Sequence, residues 1–342
     1  MTSNPEYCEI LNSEILNRLI SLQSEDREKL KLNKNMYMNR IPILLVAALS
    51  VLACNKANDV PSDGRASVLN HVSLGVKDCD ISDLPASTKS EISIDGTVKF
   101  SWSSTDIVGM FPNKGAQAYF EMSSHDGESV AEFDGGGWAL KQASTYSVYY
   151  PYDYDHRDRG NIPFDYRGQK QSGNDDYSHL SEKQYMAYGM QAPQDGACNY
   201  SMERIEAVVI FKLVIPSVIS CDKLTFRLAD GHKVVVSTRL DISGSNYVIS
   251  SDEESSQFSL DLEGVKTTSE GQTLYFYAMM PPQDLSDRQV IISVHSTDGD
   301  NYLGAAAGKN MLNNHAYQYA ATLTSDYASF MEKYGLEDGL WD

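Results

Sequence analysis

The chain has 342 residues, with 47 acidic against 28 basic side chains and a net charge of −19. A surface this acidic repels phosphate backbones and anionic headgroups, which argues against nucleic acid and charged lipid surfaces as partners. Acidic and basic residues balance before Cys54, so the whole excess lies beyond that residue.

Residues 1–35 are polar, with Ile10, Leu11, Ile15, Leu16, Leu19 and Ile20 at helical spacing. A signal peptide does not normally follow such an extension. Met36 and Met38 each offer a start directly before Arg40, so the expectation is that 1–35 lies upstream of the true start. Arg40 and the apolar run Ile41–Val51 have the charge and length of a signal sequence, too short to span a bilayer comfortably. The run ends in Val51-Leu52-Ala53-Cys54, which resembles a bacterial lipobox. That implies a lipoprotein signal peptide over 36–53, a lipid such as palmitate on Cys54, and attachment to the outer membrane through that lipid. Residues 54–66 are polar, with Pro61 and Gly64, and read as a tether.

Beyond the tether the chain reads as strands. Ser67–Val76 and Thr97–Trp102 alternate with period two, and further candidates are Ile107–Phe111, Ala118–Met122, Val130–Phe133 and Tyr146–Tyr150. Asp95-Gly96, Asp126-Gly127 and Asp134–Gly137 supply turns between them. Residues 151–200, rich in Asp, Tyr, Gly, Gln and Ser, read as a long irregular connection with one ordered turn or edge strand near Gln184–Tyr188. A second strand-rich block follows, from Ile205–Ile215 to His315–Leu323, with hairpin signals at Asp230-Gly231, Ser243-Gly244 and Asp298-Gly299. Short strands with such turns point to an all-β chain of about one sandwich per block. In the tail, Tyr327, Phe330, Met331 and Tyr334 mark one short amphipathic helix.

Chemistry-bearing motifs are absent: there is no nucleophile elbow, zinc-protease helix, phosphate-binding loop or dinucleotide fingerprint, and no cofactor or metal is implied. The expectation is a protein that is not an enzyme. Asp153, Asp155 and Asp158 fail the register of a calcium loop and sit among Arg157 and Arg159, so they read as a solvated turn. Cys198 and Cys221 flank one apolar segment; they read as buried thiols, with pairing across a hairpin as the alternative. Tyr149, Tyr150, Tyr152, Tyr154 and Tyr166 cluster along the chain. Tyr150, Tyr152 and Tyr154 are the candidates for stacking on sugar rings, against the ordinary reading of tyrosines that cap strand ends.

Several motifs occur in order: Trp102–Asp106-Ile107-Val-Gly109-Met-Phe111, then Tyr146-Ser-Val-Tyr-Tyr-Pro-Tyr152, Tyr185-Met-Ala187, Glu206–Leu213, Leu274–Pro281, and Gly308–Tyr317 with Asn314 in place of a glycine. This set resembles the Bacteroidales fimbrillin-like (Mfa-like) surface lipoproteins over roughly 67–323. The resemblance implies two tandem transthyretin-like β-sandwich domains, 67–198 and 199–324, before the helical tail at 325–342. It also implies a cell-surface role in a fimbrium or pilus, cell adhesion, other fimbrial subunits as partners, and a host or bacterial surface receptor.

Assembly in that family implies proteolysis after a basic residue, which removes a first strand so that a neighbouring subunit's strand takes its place. Arg65, Lys77 and Lys89 are the processing candidates. A cut at Arg65 leaves Ser67–Val76 attached, whereas cuts at Lys77 or Lys89 fall after it. A helical tail provides no spare strand, which favours an accessory, anchor or tip-type subunit. A monomeric glycan-binding surface lipoprotein is the alternative.

Overall fold

The computed structural model describes residues 69, 71–79, 101–135, 140, 143–193 and 198–336. The extension, the signal with Cys54, the tether, Arg65 and Lys89 lie outside them. The architecture is all-β with a short C-terminal helix. All described residues belong to one compact unit, 65–342.

The first block holds β1 (His71–Val76), β2 (Ile107–Pro112), β3 (Ala118–Ser124), β4 (Val130–Gly135), β5 (Tyr146–Tyr150), β8 (Met186–Gln191) and β9 (Cys198–Arg204). Their order is β1-β4-β3-β2-β5-β8-β9, and a parallel ladder between β1 and β9 joins the ends into one closed sheet. The closed sheet encloses Val72, Leu74, Trp102, Val108, Met110, Phe120, Phe133 and Val148, the inward positions of an alternating pattern. The β3–β4 turn places Gly127 at φ 81°, the backbone that the Asp126-Gly127 signal requires.

Of the connection expected to be irregular, β8 lies where an ordered turn or edge strand was expected, and the part before it is instead built into the second block. It contributes β6 (Ile162–Asp165), β7 (Gln169–Ser172) and a 3-10 turn at Ser178–Lys183. β10 (Ala207–Ile215) sits between β15 (Gln272–Met280), antiparallel to it, and β18 (Ala316–Thr322), parallel to it. The facing sheet runs β17 (Asn301–Ala307), β16 (Gln289–Ser296), β11 (Ser220–Leu228), β14 (Phe258–Lys266), β7. β6 pairs with β12 (Ser237–Asp241), which pairs with β13 (Val248–Ser251).

The apolar run Ala207–Phe211 that opens β10 follows from burial on both faces. Val209, Phe211, Leu213 and Ile215 enter the core between the two sheets. Val208 and Ile210 enter a second core with Phe111, Tyr149, Phe164, Tyr166 and Tyr185, which joins the two blocks.

The tail forms α1 (Tyr327–Tyr334), capped by the Asp326 carboxylate on the Ser329 amide and closed by Gly335 at φ 62°. Its Phe330 and Met331 pack with Ile291 and Leu303. Thr324, just before it, exchanges main-chain hydrogen bonds with Leu303.

Candidate functional site: the seam around the first strand

β1 closes the first block, and each part of it follows from local sequence. Val72 and Leu74 point inward and are fully enclosed, while His71 and Ser73 point outward. On one side Val72 lies opposite Phe133 and Leu74 opposite Ala131. On the other, Val72 lies beside Cys198 and Leu74 beside Tyr200. Without β1, β4 and β9 would present unpaired N–H and C=O groups on either side of an apolar slot, the chemistry of a strand acceptor.

The motif residues support this seam. The Trp102 indole donates to the Leu74 carbonyl at 3.1 Å, and its ring meets Phe133 and Tyr150 edge-on. Asp106 accepts from the Ser103 amide at 2.7 Å and from the Tyr150 hydroxyl at 2.8 Å. A side chain at Gly109 would collide with the Tyr149 ring, which stacks on Phe111. The tryptophan, aspartate, glycine and aromatic positions are therefore one packed unit beneath β1.

Two charged clasps hold the outer face of β1. His71 lies between Glu132 at 2.7 Å and Asp134 at 2.6 Å, both on β4. The hydrogen bond to Asp134 is the main cause that raises the His71 pKa, and the same bond lowers that of Asp134. At the other end, Lys77 Nζ meets the Glu203 carboxylate of β9. Burial works against ionisation of Glu203, but hydrogen bonds from Lys77 and from the Tyr247 hydroxyl at 2.6 Å outweigh it, so its pKa falls.

The second block reaches this end too. Asn313 Nδ2 donates to the Tyr247 hydroxyl at 2.7 Å and the Arg204 carbonyl at 3.3 Å, and Asn314 Nδ2 donates to the Asp78 carbonyl at 3.0 Å. Asn314 stands at φ 55°, which accounts for a glycine there in the resembled motif and for asparagine as its substitute.

Lys77, alone among the processing candidates, is a described residue. Its amide donates to the Met202 carbonyl at 2.9 Å, so the chain at Lys77 is held to β9. Of the glycan candidates, Tyr150 is half-buried: its hydroxyl donates to Asp106 and its ring meets Trp102 edge-on. Tyr152 and Tyr154 do reach the surface. Tyr152 rests against Tyr119, with ring centroids 5.7 Å apart, and Tyr154 is 67 % exposed beneath the Arg157 guanidinium. Gln117 pins their loop by donating to the Asp153 carbonyl at 2.9 Å while accepting from the Tyr149 hydroxyl at 2.7 Å.

Asp153 and Asp158 accept from the amides of Asp155 and Gly160, and Arg159 turns away to the Pro112 carbonyl. Among the described residues no cluster of His, Cys, Asp or Glu is placed to hold a metal ion. Cys198 and Cys221 are separate buried thiols, and burial pushes the Cys221 thiol up to about 12.

Sequence reasoning missed Arg204 and Glu206, both fully buried where β9 passes into β10. Burial pushes the Glu206 carboxyl up to about 8, against the opposing influence of Arg204. Glu206 accepts from the Tyr185 amide at 3.2 Å and its carbonyl from the Asn314 amide at 2.8 Å. Two charged residues heading an apolar strand were the available signal.

No family model matches the chain, and no curated protein does. A candidate cell adhesion protein of Bacteroides ovatus matches at 12 % identity and a TM-score of 0.49, over 75 % of this chain and 95 % of that one. One from Bacteroides uniformis matches at 11 % identity and 0.46, over 78 % and 94 %. The tip fimbrial protein Mfa3 of Porphyromonas gingivalis, C-terminally truncated, matches at 13 % identity and 0.33, over 73 % and 94 %.

Proposed function

We propose that the chain is a fimbrillin-like surface lipoprotein, anchored to the outer membrane through Cys54, that acts as a structural or adhesive fimbrial subunit without catalysis. The observation that carries the assembly step is the position of β1. Its loss opens a closed sheet, and it follows the amino-terminal tether in sequence, where a single cut would free it. A partner strand in that slot regains both ladders and refills the positions of Val72 and Leu74. Residues 327–334 form α1, which packs on Ile291 and Leu303 and so offers no free strand in that segment; an accessory, anchor or tip-type subunit is the reading we keep.

The test is electrophoresis of unheated outer-membrane fractions from wild type and from Arg65→Ala, Lys77→Ala and Lys89→Ala. A heat-sensitive ladder lost in one variant supports strand exchange and names the processed bond. The ladder held around Lys77 favours Lys89 over Lys77. A single lipid-modified band in every sample overturns polymerisation. The pinned loop that presents Tyr152 and Tyr154 favours glycan binding as a second reading, tested by retention of the protein, and not of Tyr152→Ala/Tyr154→Ala, on immobilised neutral polysaccharide.

A further inference from the structure

Among the described residues the outer edge of β15 has no neighbouring strand, and side chains meet its main-chain groups from the Tyr275 carbonyl to the Met279 carbonyl. Gln169 Nε2 donates to the Met279 carbonyl at 2.7 Å, and its Oε1 accepts from the Met279 amide at 2.8 Å. Gln171 Oε1 accepts from the Tyr277 amide at 3.1 Å, and its Nε2 donates to the Tyr275 carbonyl at 3.1 Å. The His179 ring completes the set by donating to the Tyr277 carbonyl at 2.9 Å. A carboxamide carries the donor and acceptor of a peptide group. Two residues along β7 advance by the same length as two along β15, about 6.5 Å, so glutamines at i and i+2 imitate a strand.

β7 itself is hydrogen-bonded elsewhere, parallel to β14. Both glutamines are fully buried, while Lys170 between them faces solvent and pairs with Glu263. The edge that they cover is an aggregation hazard. From Gly271 to Gln283 the sequence has no ionisable acid or base other than tyrosine, and it is rich in aromatic residues. In a chain of net charge −19, this is a stretch along which two copies can meet without opposing charges.

We propose that the outer edge of β15 is a strand-pairing surface held closed by Gln169 and Gln171, and that its partner when open is β15 of a second copy, antiparallel about a two-fold axis. This site is separate from the β1 slot and independent of the function proposed above.

The test is the Gln169→Ala/Gln171→Ala variant in the full chain, followed by light scattering against concentration and by hydrogen exchange. Expected are a concentration-dependent dimer absent in wild type, and its loss when Tyr275→Lys sets like charges across the new ladder. A folded variant that stays monomeric overturns the proposal, as does a dimer indifferent to Tyr275→Lys. If the double variant fails to fold, exchange in the wild type decides. Strand alternation aims the amides of Phe276 and Ala278 at β10, whereas those of Tyr277 and Met279 rest on glutamines. Exchange of the latter pair at least tenfold faster, in step with the amides of 169–172, supports the guard; equal protection of all four overturns it.

Discussion

At β1 a sheet is closed by main-chain ladders on both sides, whereas at the edge of β15 the same task falls to the side chains of two glutamines. The difference lies in what can replace each closure. A ladder reads only peptide groups, so any extended chain with suitable inward residues can take the place of β1. The glutamine closure depends on two specific carboxamides at matched spacing, and a substitution leaves buried donors and acceptors unsatisfied. One closure suits exchange, and the other suits permanence.

The largest expected effect tests whether the β7 closure is required at all. A chain beginning at residue 199 lacks β6, β7 and both glutamines, and it is expected to lose cooperative urea unfolding. Joining residues 160–174 to it through a flexible linker should restore a transition. Cooperative unfolding without that segment would show that the second block closes by itself. The domain boundary proposed at 198/199 would then be an independent folding boundary.

Next in size is the core beneath β1. Leu74→Ala removes a fully enclosed side chain and is expected to cost about 2–5 kcal/mol in urea unfolding. Gly109→Ala forces the Tyr149 ring to move and is expected to cost about 1–3 kcal/mol. If β1 is a loosely held strap, Leu74→Ala will cost under about 1 kcal/mol while Gly109→Ala keeps its full effect.

Glu206 gives a smaller effect with a definite sign. Its folded pKa, about 8, lies above the ordinary 4.5. Between these values the folded chain holds a proton that the unfolded chain has released, so this residue lowers stability progressively as pH rises, and the trend ends above about 8. Glu206→Gln keeps the shape of the neutral acid and should remove this trend, so the variant gains on wild type more at pH 8 than at pH 5.5. A constant difference across that range would mean that Glu206 is ionised throughout beside Arg204.

How far the sequence disclosed these features depended on which atoms do the work. β10 was apparent as an apolar run, and the Asp-Gly turns at 126–127, 230–231 and 298–299 fell where their φ values of 81°, 73° and 94° required glycine. The helix was visible in Tyr327, Phe330, Met331 and Tyr334. Within 151–200, β7 was missed because it buries glutamines, and no hydrophobic alternation marks such a strand. Gln169-x-Gln171 was its trace in the sequence. Tyr150 was grouped with Tyr152 and Tyr154, since sequence proximity does not reveal that β5 ends between them. The Lys77–Glu203 and His71–Asp134 contacts join positions too distant along the chain for a single sequence to pair.

Those clasps give the smallest effect and a way to separate the two ends of β1. Both are substantially exposed, so screening limits each to under about 1 kcal/mol. Their pH responses are opposite. The raised pKa of His71 means that its contribution is complete below about 6.5 and disappears as pH climbs through the folded value. The lowered pKa of Glu203 means that its contribution is complete above about 4.5 and disappears as pH drops through the folded value. Hydrogen exchange along β1, corrected for intrinsic rates, should therefore rise at the His71 end in mild alkali and at the Lys77 end in acid. His71→Gln should abolish only the first response and Lys77→Met only the second. A uniform response along the strand in both variants would mean that β1 opens as one unit, with its release governed by the ladders and the burial of Val72 and Leu74 rather than by either clasp.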